Sequence, residues 1–346
     1  MRTESRAAAR IALALVLGAA AVALPRVAQA AIEGRWIAEF DGPDDRVQLT
    51  TKRGSPRHNS ENSCSYPLSA FRGLVRPASK APEPARFELV RDAGTIVFEG
   101  QLDSAGGAGR FSFMPNSDFV QEMRGAGYPL SEENVYAAAM HDIGRSFLKD
   151  LEALGYSRLP FDDLVSMRIH GATPEFIREL KSLGYDHLPP DDLVSMRIHG
   201  ATPQFIRRMK ELGYDRLSAD DLVSMCIHGV TPEFVRDMRA AGHDRLSADD
   251  LVSMRIHEVS PGFARELKQL GYSDVSADDL VSMRIHDVTT DFVRQIRDLG
   301  FRDVSVDDLV SMRIHGVSAE FARRAKKRDP AVTVDELVSM RIHGRD

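Results

Sequence analysis

The chain has 346 residues, a formal net charge of −6 and only two cysteines, Cys64 and Cys226. A chain of this length can form two domains that each bury a core. Its acidic balance lacks the electrostatic signature of a nucleic-acid-binding protein. Two cysteines in different predicted domains exclude a disulfide framework as the source of stability.

The first 30 residues have the pattern of a secretory signal peptide. Three arginines near the start precede an apolar run over 11–24, and Ala-Gln-Ala at 28–30 forms a small-residue cleavage site. The run is short for a transmembrane helix, although an uncleaved anchor is the alternative. We therefore predict an exported protein, periplasmic or secreted, that is cleaved after Ala30 and has no transmembrane segment thereafter. Removing this leader, whose net charge is +3, changes the formal charge from −6 to −9.

Residues 31–115 have β character. Trp36, Ala38 and Phe40 recur at period two and therefore share one face of a predicted strand. A second strand is predicted at 47–51, behind a turn that is rich in aspartate, glycine and proline.

Two further hairpins are predicted between residues 86 and 113. Their apolar residues alternate around the turns Asp-Ala-Gly at 92–94 and Asp-Ser-Ala-Gly-Gly at 103–107. Residues 52–63 and 77–84 are polar or proline-rich and predict exposed loops. We expect a small antiparallel β domain of about five strands over 31–115.

A seven-residue phrase, Leu-Val-Ser-Met-Arg-Ile-His, dominates the rest of the chain. Its spacing is 29 residues, except for a final spacing of 28, and Cys226 replaces the arginine of one copy. The copies begin at Leu164, Leu193, Leu222, Leu251, Leu280, Leu309 and Leu337. A fixed period in this range is typical of a stacked array. We predict about eight helical hairpins over 116–346, the first degenerate and the last truncated.

The unit that begins at Ser218 shows how each hairpin is built. Ser218 is predicted to cap one helix of about nine residues, with an acid at the third helical position. Thr231 and a proline after it start the second helix, which a glycine ends. Leu222, Val223 and Ile227 are expected in the core, and Asp220 and Arg239 on the surface. The tyrosine or phenylalanine that follows the glycine in most units is expected to fold back over the helix end.

The repeated histidines suggest metal binding, but their spacing argues against it. Equivalent residues of stacked helices lie about 8–10 Å apart. Zinc needs its ligand nitrogens at about 2.0–2.1 Å, so neighbouring units cannot share one ion. We expect each imidazole instead to hydrogen-bond free carbonyls at the end of its own helix. A soft copper site made by Met and His three residues apart, as at Met196 and His199, is the alternative.

The other repeated polar residues also have structural interpretations. The paired aspartates lack the glycine-containing loop of a calcium site and fit helix starts. The repeated arginines are interpreted as a solvated row near these acids, with an anion-binding stripe as the alternative. Asp92 and Glu99 fit turn and strand-face positions. Because no hydrolase, phosphate-loop or metal motif occurs, we predict a non-enzyme and assign no catalytic, cofactor or metal residues.

The repeat unit Leu-Val-Ser-Met-Arg-Ile-His-Gly-Val-Thr-Pro-Glu-Phe-Val-Arg resembles a helical repeat of uncharacterised exported bacterial proteins. The same kind of repeat is similar to one appended to membrane metallopeptidases of the beta-lactam-sensor type. The resemblance covers about 117–343, and the segment 87–100 is similar to the β module that precedes such repeats. It implies an envelope location and a sensing or scaffolding role. No activity is implied, because this chain lacks the peptidase motif and the membrane bundle.

These patterns together predict an α+β protein with separate domains: a small antiparallel β domain followed by an α-solenoid-like array. The predicted function is a non-catalytic protein–protein interaction, scaffold or sensor module whose partner is another envelope protein, because repeat arrays present extended surfaces. A periplasmic copper- or zinc-binding protein that uses the Met/His rows is the alternative. An enzyme with its site in the β domain is a more remote one.

Overall fold

A computed structural model describes residues 32–40, 45–55 and 58–344 of the chain. The predicted signal peptide, 1–30, lies outside the described residues. The chain divides into two compact units. One runs up to Glu122 and also contains Leu130–Ala139; the other contains Met123–Pro129 and the chain from Met140 onwards.

The first unit contains a curled antiparallel sheet of seven strands, in the order β3-β2-β1-β7-β6-β5-β4. The strands are β1 (Ile32–Phe40), β2 (Arg46–Ser55), β3 (His58–Pro67), β4 (Phe71–Arg72), β5 (Glu83–Arg91), β6 (Gly94–Leu102) and β7 (Gly106–Pro115). The predicted antiparallel architecture is confirmed. The alternation of Trp36, Ala38 and Phe40 is confirmed too, because all three side chains are buried.

The predicted loop at 52–63 is wrong, because these residues extend β2 and form most of β3. The two strands pair along their whole length, for example Lys52 with Glu61 and Leu49 with Cys64. β3 is an edge strand, and its backbone N–H and C=O groups pair with those of β2 whether or not its side chains alternate between apolar and polar. Together with the short β4, it explains why the sheet has seven strands and not about five.

Trp36 organises the core of the sheet. Its ring packs edge-on against Phe87, with 5.2 Å between ring centroids, although β1 and β5 are separated by two strands. Neighbouring strands are about 4.8 Å apart, so this contact requires the sheet to curl around its buried face. Gly100 and Gly109 leave space for the indole, because a Cβ atom at either position would lie within 2.8 Å of it.

Most of the helix Glu132–His141 also belongs to this unit. Tyr136 stacks on Phe111, with 5.7 Å between ring centroids, and its hydroxyl donates a hydrogen bond of 3.0 Å to Oγ1 of Thr51. Burial raises the pKa of Tyr136 to about 12. The predicted domain boundary after residue 115 marks the change of periodicity, whereas the compact unit that holds the sheet extends to Ala139.

Sixteen helices follow the sheet within the described residues. They are α1 (Ser117–Gly125), α2 (Glu132–His141), α3 (Arg145–Ala153), α4 (Phe161–His170), α5 (Pro174–Ser182), α6 (Pro190–His199), α7 (Pro203–Glu211), α8 (Ala219–Ile227), α9 (Pro232–Ala241), α10 (Ala248–Ile256), α11 (Pro261–Gln269), α12 (Ala277–Ile285), α13 (Thr290–Asp298), α14 (Val306–Ile314), α15 (Ala319–Arg328) and α16 (Val334–Ile342). The predicted repeat array is therefore confirmed.

The repeating helices of the array form two rows. We call the helices that carry the Leu-Val-Ser-Met-Arg-Ile-His phrase the A helices (α4, α6, α8, α10, α12, α14 and α16) and the intervening ones, from α3 to α15, the B helices. Each A helix packs on the next A helix, and each B helix packs on the next B helix. One continuous core joins the units between Met209 and Leu337, as expected where helices too short to be stable alone stack on their neighbours.

The predicted helix caps are confirmed. In the unit of α8, Oγ of Ser218 accepts a hydrogen bond from the backbone N–H of Asp221, whose carboxylate accepts one from the N–H of Ser218. Oγ1 of Thr231 caps α9, with a proline at its first turn. Gly242 ends that helix in the left-handed conformation, at φ 110°.

The predicted core of the A helices is only partly right. Leu222 is fully buried, but Val223 is half-buried and Ile227 is 53% exposed. Met225 takes the buried position instead. A helix that packs on neighbours along one narrow stripe buries positions three and four residues apart, and Ile227 lies beyond that stripe. Arg239 was expected on the surface and is half-buried. Among the described residues, no helix is long and apolar enough to cross a membrane.

Candidate functional site

The repeated arginines connect successive units. Each guanidinium lies over the ring of a phenylalanine on the preceding B helix, at 5.0–5.7 Å from the ring centroid. The pairs are Arg168 with Phe147, Arg197 with Phe176, Arg255 with Phe234, Arg284 with Phe263, Arg313 with Phe292, and Arg341 with Phe321. This arginine row is a set of cation–π contacts between units. The prediction of a solvated row is only partly right, because Arg197, Arg255 and Arg341 are exposed but Arg168, Arg284 and Arg313 are half-buried.

The same arginines reach the end of the preceding A helix. Nε of Arg255 donates a hydrogen bond of 3.4 Å to the carbonyl of His228 at the end of α8. Nε of Arg168 donates one of 2.7 Å to the carbonyl of His141 at the end of α2, the helix of the degenerate first unit. Glu258 and Asp287 stand where other units have glycine after the helix, both in the left-handed conformation, and they form ion pairs with Arg284 and Arg313. An arginine of the next unit therefore places its positive charge at the negative C-terminal end of the preceding helix.

Cys226 interrupts the arginine row. The phenylalanine at the matching position, Phe205, is half-buried, whereas Phe176 and Phe234 in the adjacent units are buried. Burial raises the pKa of the Cys226 thiol to about 11. The thiol is therefore protonated at neutral pH and is a poor nucleophile.

The B helices use a second set of basic residues in the same way. Nζ of Lys210 donates a hydrogen bond of 2.7 Å to the carbonyl of Leu183 in the preceding unit. The guanidinium of Arg239 likewise donates a hydrogen bond to the carbonyl of Leu212. This contact explains why Arg239 is half-buried.

The tyrosines reach forward to the next unit and do not fold back as predicted. Each hydroxyl donates a hydrogen bond of 2.8 Å to a backbone carbonyl 32 residues later. The pairs are Tyr156 with Leu188, Tyr185 with Leu217, Tyr214 with Leu246, and Tyr272 with Val304. Periodic sequence alone cannot distinguish a contact within a unit from the same contact made with the next unit.

The repeated histidines lie at the ends of the A helices, as predicted. Five of them are exposed, and His257 and His286 are half-buried. None of the seven imidazoles, from His170 to His343, makes a hydrogen bond with a described residue. The prediction that the imidazoles cap the helices is therefore wrong. The basic residues of the next unit reach these helix ends instead, as Arg255 does at the carbonyl of His228. At the suggested copper pair, Met196 is fully buried and His199 is exposed, an arrangement that lends the copper hypothesis no support.

The paired aspartates have two distinct environments. In α8, α10, α12 and α14 the second of each pair, such as Asp221, closes the capping box, whereas α4 and α6 begin after a proline and have no capping box. The first of each pair, such as Asp220, is exposed. Within the described residues, no group of three or more His, Cys, Asp or Glu side chains is placed to hold a metal ion. In the sheet, Glu99 is paired with Arg86 at 3.2 Å, consistent with its predicted position on a strand face.

A pocket of about 580 Å³ lies on the sheet unit. Its lining includes Arg35, Lys52 and Arg110, which are cross-strand neighbours, and Glu61, which is paired with Lys52 at 3.2 Å. Charged side chains therefore dominate this pocket, and the ion pair between Lys52 and Glu61 engages two of them.

A row of exposed isoleucines is the feature that the packing of the array leaves unexplained. Every A helix exposes the isoleucine of its repeated phrase, with between 51% and 55% of the side chain accessible. They are Ile169, Ile198, Ile227, Ile256, Ile285, Ile314 and Ile342. The sequence pattern concealed this row, because an apolar residue in a repeated helix reads as core.

The fold and this row define the chain as a helical-repeat protein with an N-terminal curled sheet. No protein-family model matches the chain, and no curated protein shows significant similarity to it. The resemblance to repeats of exported proteins and sensor metallopeptidases stays a prediction.

Proposed function

We propose that this protein is a non-catalytic interaction module, and that the array binds a partner protein along the isoleucine row. The predicted signal peptide supports a partner in the cell envelope. The exposed row carries the proposal. We call the surface formed by these isoleucines and the other exposed residues of the A helices the A face.

Regular exposure of a large apolar side chain requires a physical reason. Scattered exposed apolar residues are normal on proteins, but contiguous ones are typical of interaction sites. The seven isoleucines occupy the same position on successive A helices, which pack on each other, so they form a regular row. None of them fills the core, so packing alone does not account for them.

A pull-down experiment with three immobilised baits tests this proposal. The mature chain and a variant with Ile227→Ser, Ile256→Ser and Ile285→Ser are immobilised separately and exposed to the same envelope extract. A third bait carries Glu211→Gln, Asp237→Asn and Asp298→Asn, which change exposed residues of the B helices. We expect a partner that the first and third baits retain and that the isoleucine variant loses.

Photo-crosslinking places the contact. A photoreactive residue at position 256 is expected to crosslink to the retained partner, whereas one at position 237 is not. Equal retention of every bound protein by all three baits would contradict the proposal. Circular dichroism of the isoleucine variant checks that the array remains folded.

A further inference from the structure

The A face has a second regular feature that identifies the chemistry of its partner. An exposed acid lies seven residues before each exposed isoleucine, at Asp162, Asp191, Asp220, Asp249, Asp278, Asp307 and Asp335. Seven residues are nearly two helical turns, so acid and isoleucine lie on the same side of their helix, about 10.5 Å apart. The face therefore carries parallel rows of carboxylates and isoleucines.

These carboxylates have no charge partner among the residues that the structure describes. Within the described residues, none of the seven forms an ion pair with a basic side chain. The B helices differ, because several of their exposed charges pair between units. Arg207 binds Glu179 at 2.9 Å, and Arg294 binds Glu266 at 2.8 Å.

The difference between the A helices and the B helices indicates which surface of the array binds a partner. The B helices pair part of their exposed charge between units and expose no isoleucine. The A face exposes isoleucines beside carboxylates that form no ion pair with a described residue, while its arginines are held against the preceding unit. We infer, resting on the proposed function, that the A face binds a cationic amphipathic polypeptide segment whose apolar side chains contact the isoleucines and whose lysines or arginines contact the aspartates.

The spacing of the rows fits a helical segment. Stacked helices place equivalent residues about 8–10 Å apart. A helix with a heptad apolar repeat presents side chains at about 10.5 Å intervals, so one apolar residue per heptad matches one unit of the array. Basic residues beside that stripe then lie near the aspartate row.

The charge of the A face argues against two other occupants. A second copy would bring two acidic faces of a chain with net charge −6 together. An anionic lipid surface would repel the same carboxylates. A cationic polypeptide gains from both rows, because its charges are attracted while its apolar residues leave water.

Designed peptides test the inference on the mature full chain. The probe is a fluorescent three-heptad helical peptide with leucines along one stripe and lysines elsewhere. One matched peptide has glutamates in place of the lysines, and another has serines in place of the leucines. We expect saturable binding of the lysine–leucine peptide alone in fluorescence anisotropy, and weaker binding as salt increases.

Variants locate this binding. Asp220→Asn, Asp249→Asn and Asp278→Asn together are expected to weaken the lysine–leucine peptide about tenfold. The matched triple change on the B helices, Glu211→Gln, Asp237→Asn and Asp298→Asn, removes the same charge and is expected to leave affinity within about twofold. Ile227→Ser, Ile256→Ser and Ile285→Ser are expected to abolish binding.

The outcomes separate this inference from the proposed function. Equal binding of the lysine and glutamate peptides, or equal effects of the two acid triples, would overturn the cationic partner while leaving the isoleucine row as a binding site. Retention of the envelope partner by the isoleucine variant would contradict the proposed function itself. A dimer in solution that the isoleucine variant disrupts, or flotation with anionic vesicles, would show that the occupant is a second copy or a membrane and would overturn the inference.

Discussion

The guanidinium carbon of Arg255 lies 5.3 Å from the ring centroid of Phe234, which is 21 residues earlier and on the preceding B helix. Nε of the same arginine is 3.4 Å from the carbonyl of His228, at the end of the preceding A helix. One side chain thus joins both helices of one unit to the next. Repetition of this arrangement makes the arginine row part of the structure between units.

Restoring the missing member of the row is expected to stabilise the array. Cys226→Arg places a guanidinium over Phe205 and within reach of the carbonyl of His199. A gain of about 1 kcal/mol in unfolding free energy is expected from the cation–π contact and the hydrogen bond. Denaturant unfolding measures it, and Cys226→Ser serves as the control that removes the thiol without adding a cation. An unchanged or lower midpoint for the arginine variant would contradict the role assigned to the row.

Truncation of two apolar residues of one helix is expected to change stability by very different amounts. Leu222→Ala should cost about 2–5 kcal/mol, because Leu222 is fully buried. Ile227→Ala should change stability by less than about 0.5 kcal/mol, because Ile227 is 53% exposed. Hydrogen exchange should locate the damage of the leucine variant in adjacent units, since each unit contacts only its neighbours. A large loss from the isoleucine variant would show that the row serves packing.

His243 replaces the tyrosine of the repeat and is expected to make stability pH-dependent. Burial and the nearby Lys268 lower the pKa of His243 from 6.5. The unfolded chain therefore binds this proton more readily than the folded chain, so stability falls as the pH decreases below about 6.5.

His243→Tyr is expected to remove this contribution and to add a hydroxyl bond to the carbonyl of Val275, which lies at the 32-residue offset. Melting curves of both proteins between pH 5 and 7.5, a range about the ordinary histidine pKa, measure the difference. The variant should be the more stable protein at every pH, with the largest advantage at the acidic end. Parallel pH profiles would show that His243 does not titrate differently on folding.

Gly109 is expected to be indispensable to the sheet. A Cβ atom there would lie 2.7 Å from Nε1 of Trp36, so Gly109→Ala should cost about 1–3 kcal/mol by overpacking. Trp36 is the single tryptophan of the chain, and its fluorescence therefore reports unfolding of the sheet unit alone. Gly125→Ala is the control, because nothing lies within 4 Å of the added Cβ atom. Equal tryptophan transitions in both variants would contradict the close approach.

Local patterns in the sequence predicted the elements of this fold well. The caps at Ser218 and Thr231 follow from side chains that bond to backbone groups three residues away, so neighbouring letters suffice to identify them. Trp36, Ala38 and Phe40 were assigned to one buried face for a similar reason, because strand alternation is a local property. The polar β3 was missed because only pairing with β2 makes it a strand.

The surface of the array could not be predicted in the same way. The sequence by itself determined that there is an array, its period and its helix boundaries, since these depend on repetition and on short-range hydrogen bonds. Only the tertiary structure decided that Arg255 binds the preceding unit, that Tyr214 binds the following one, and that Ile227 faces solvent. The reason is geometric: a repeat places every contact at the same position in each unit, and stacking alone determines which unit supplies the partner and which side of each helix remains uncovered.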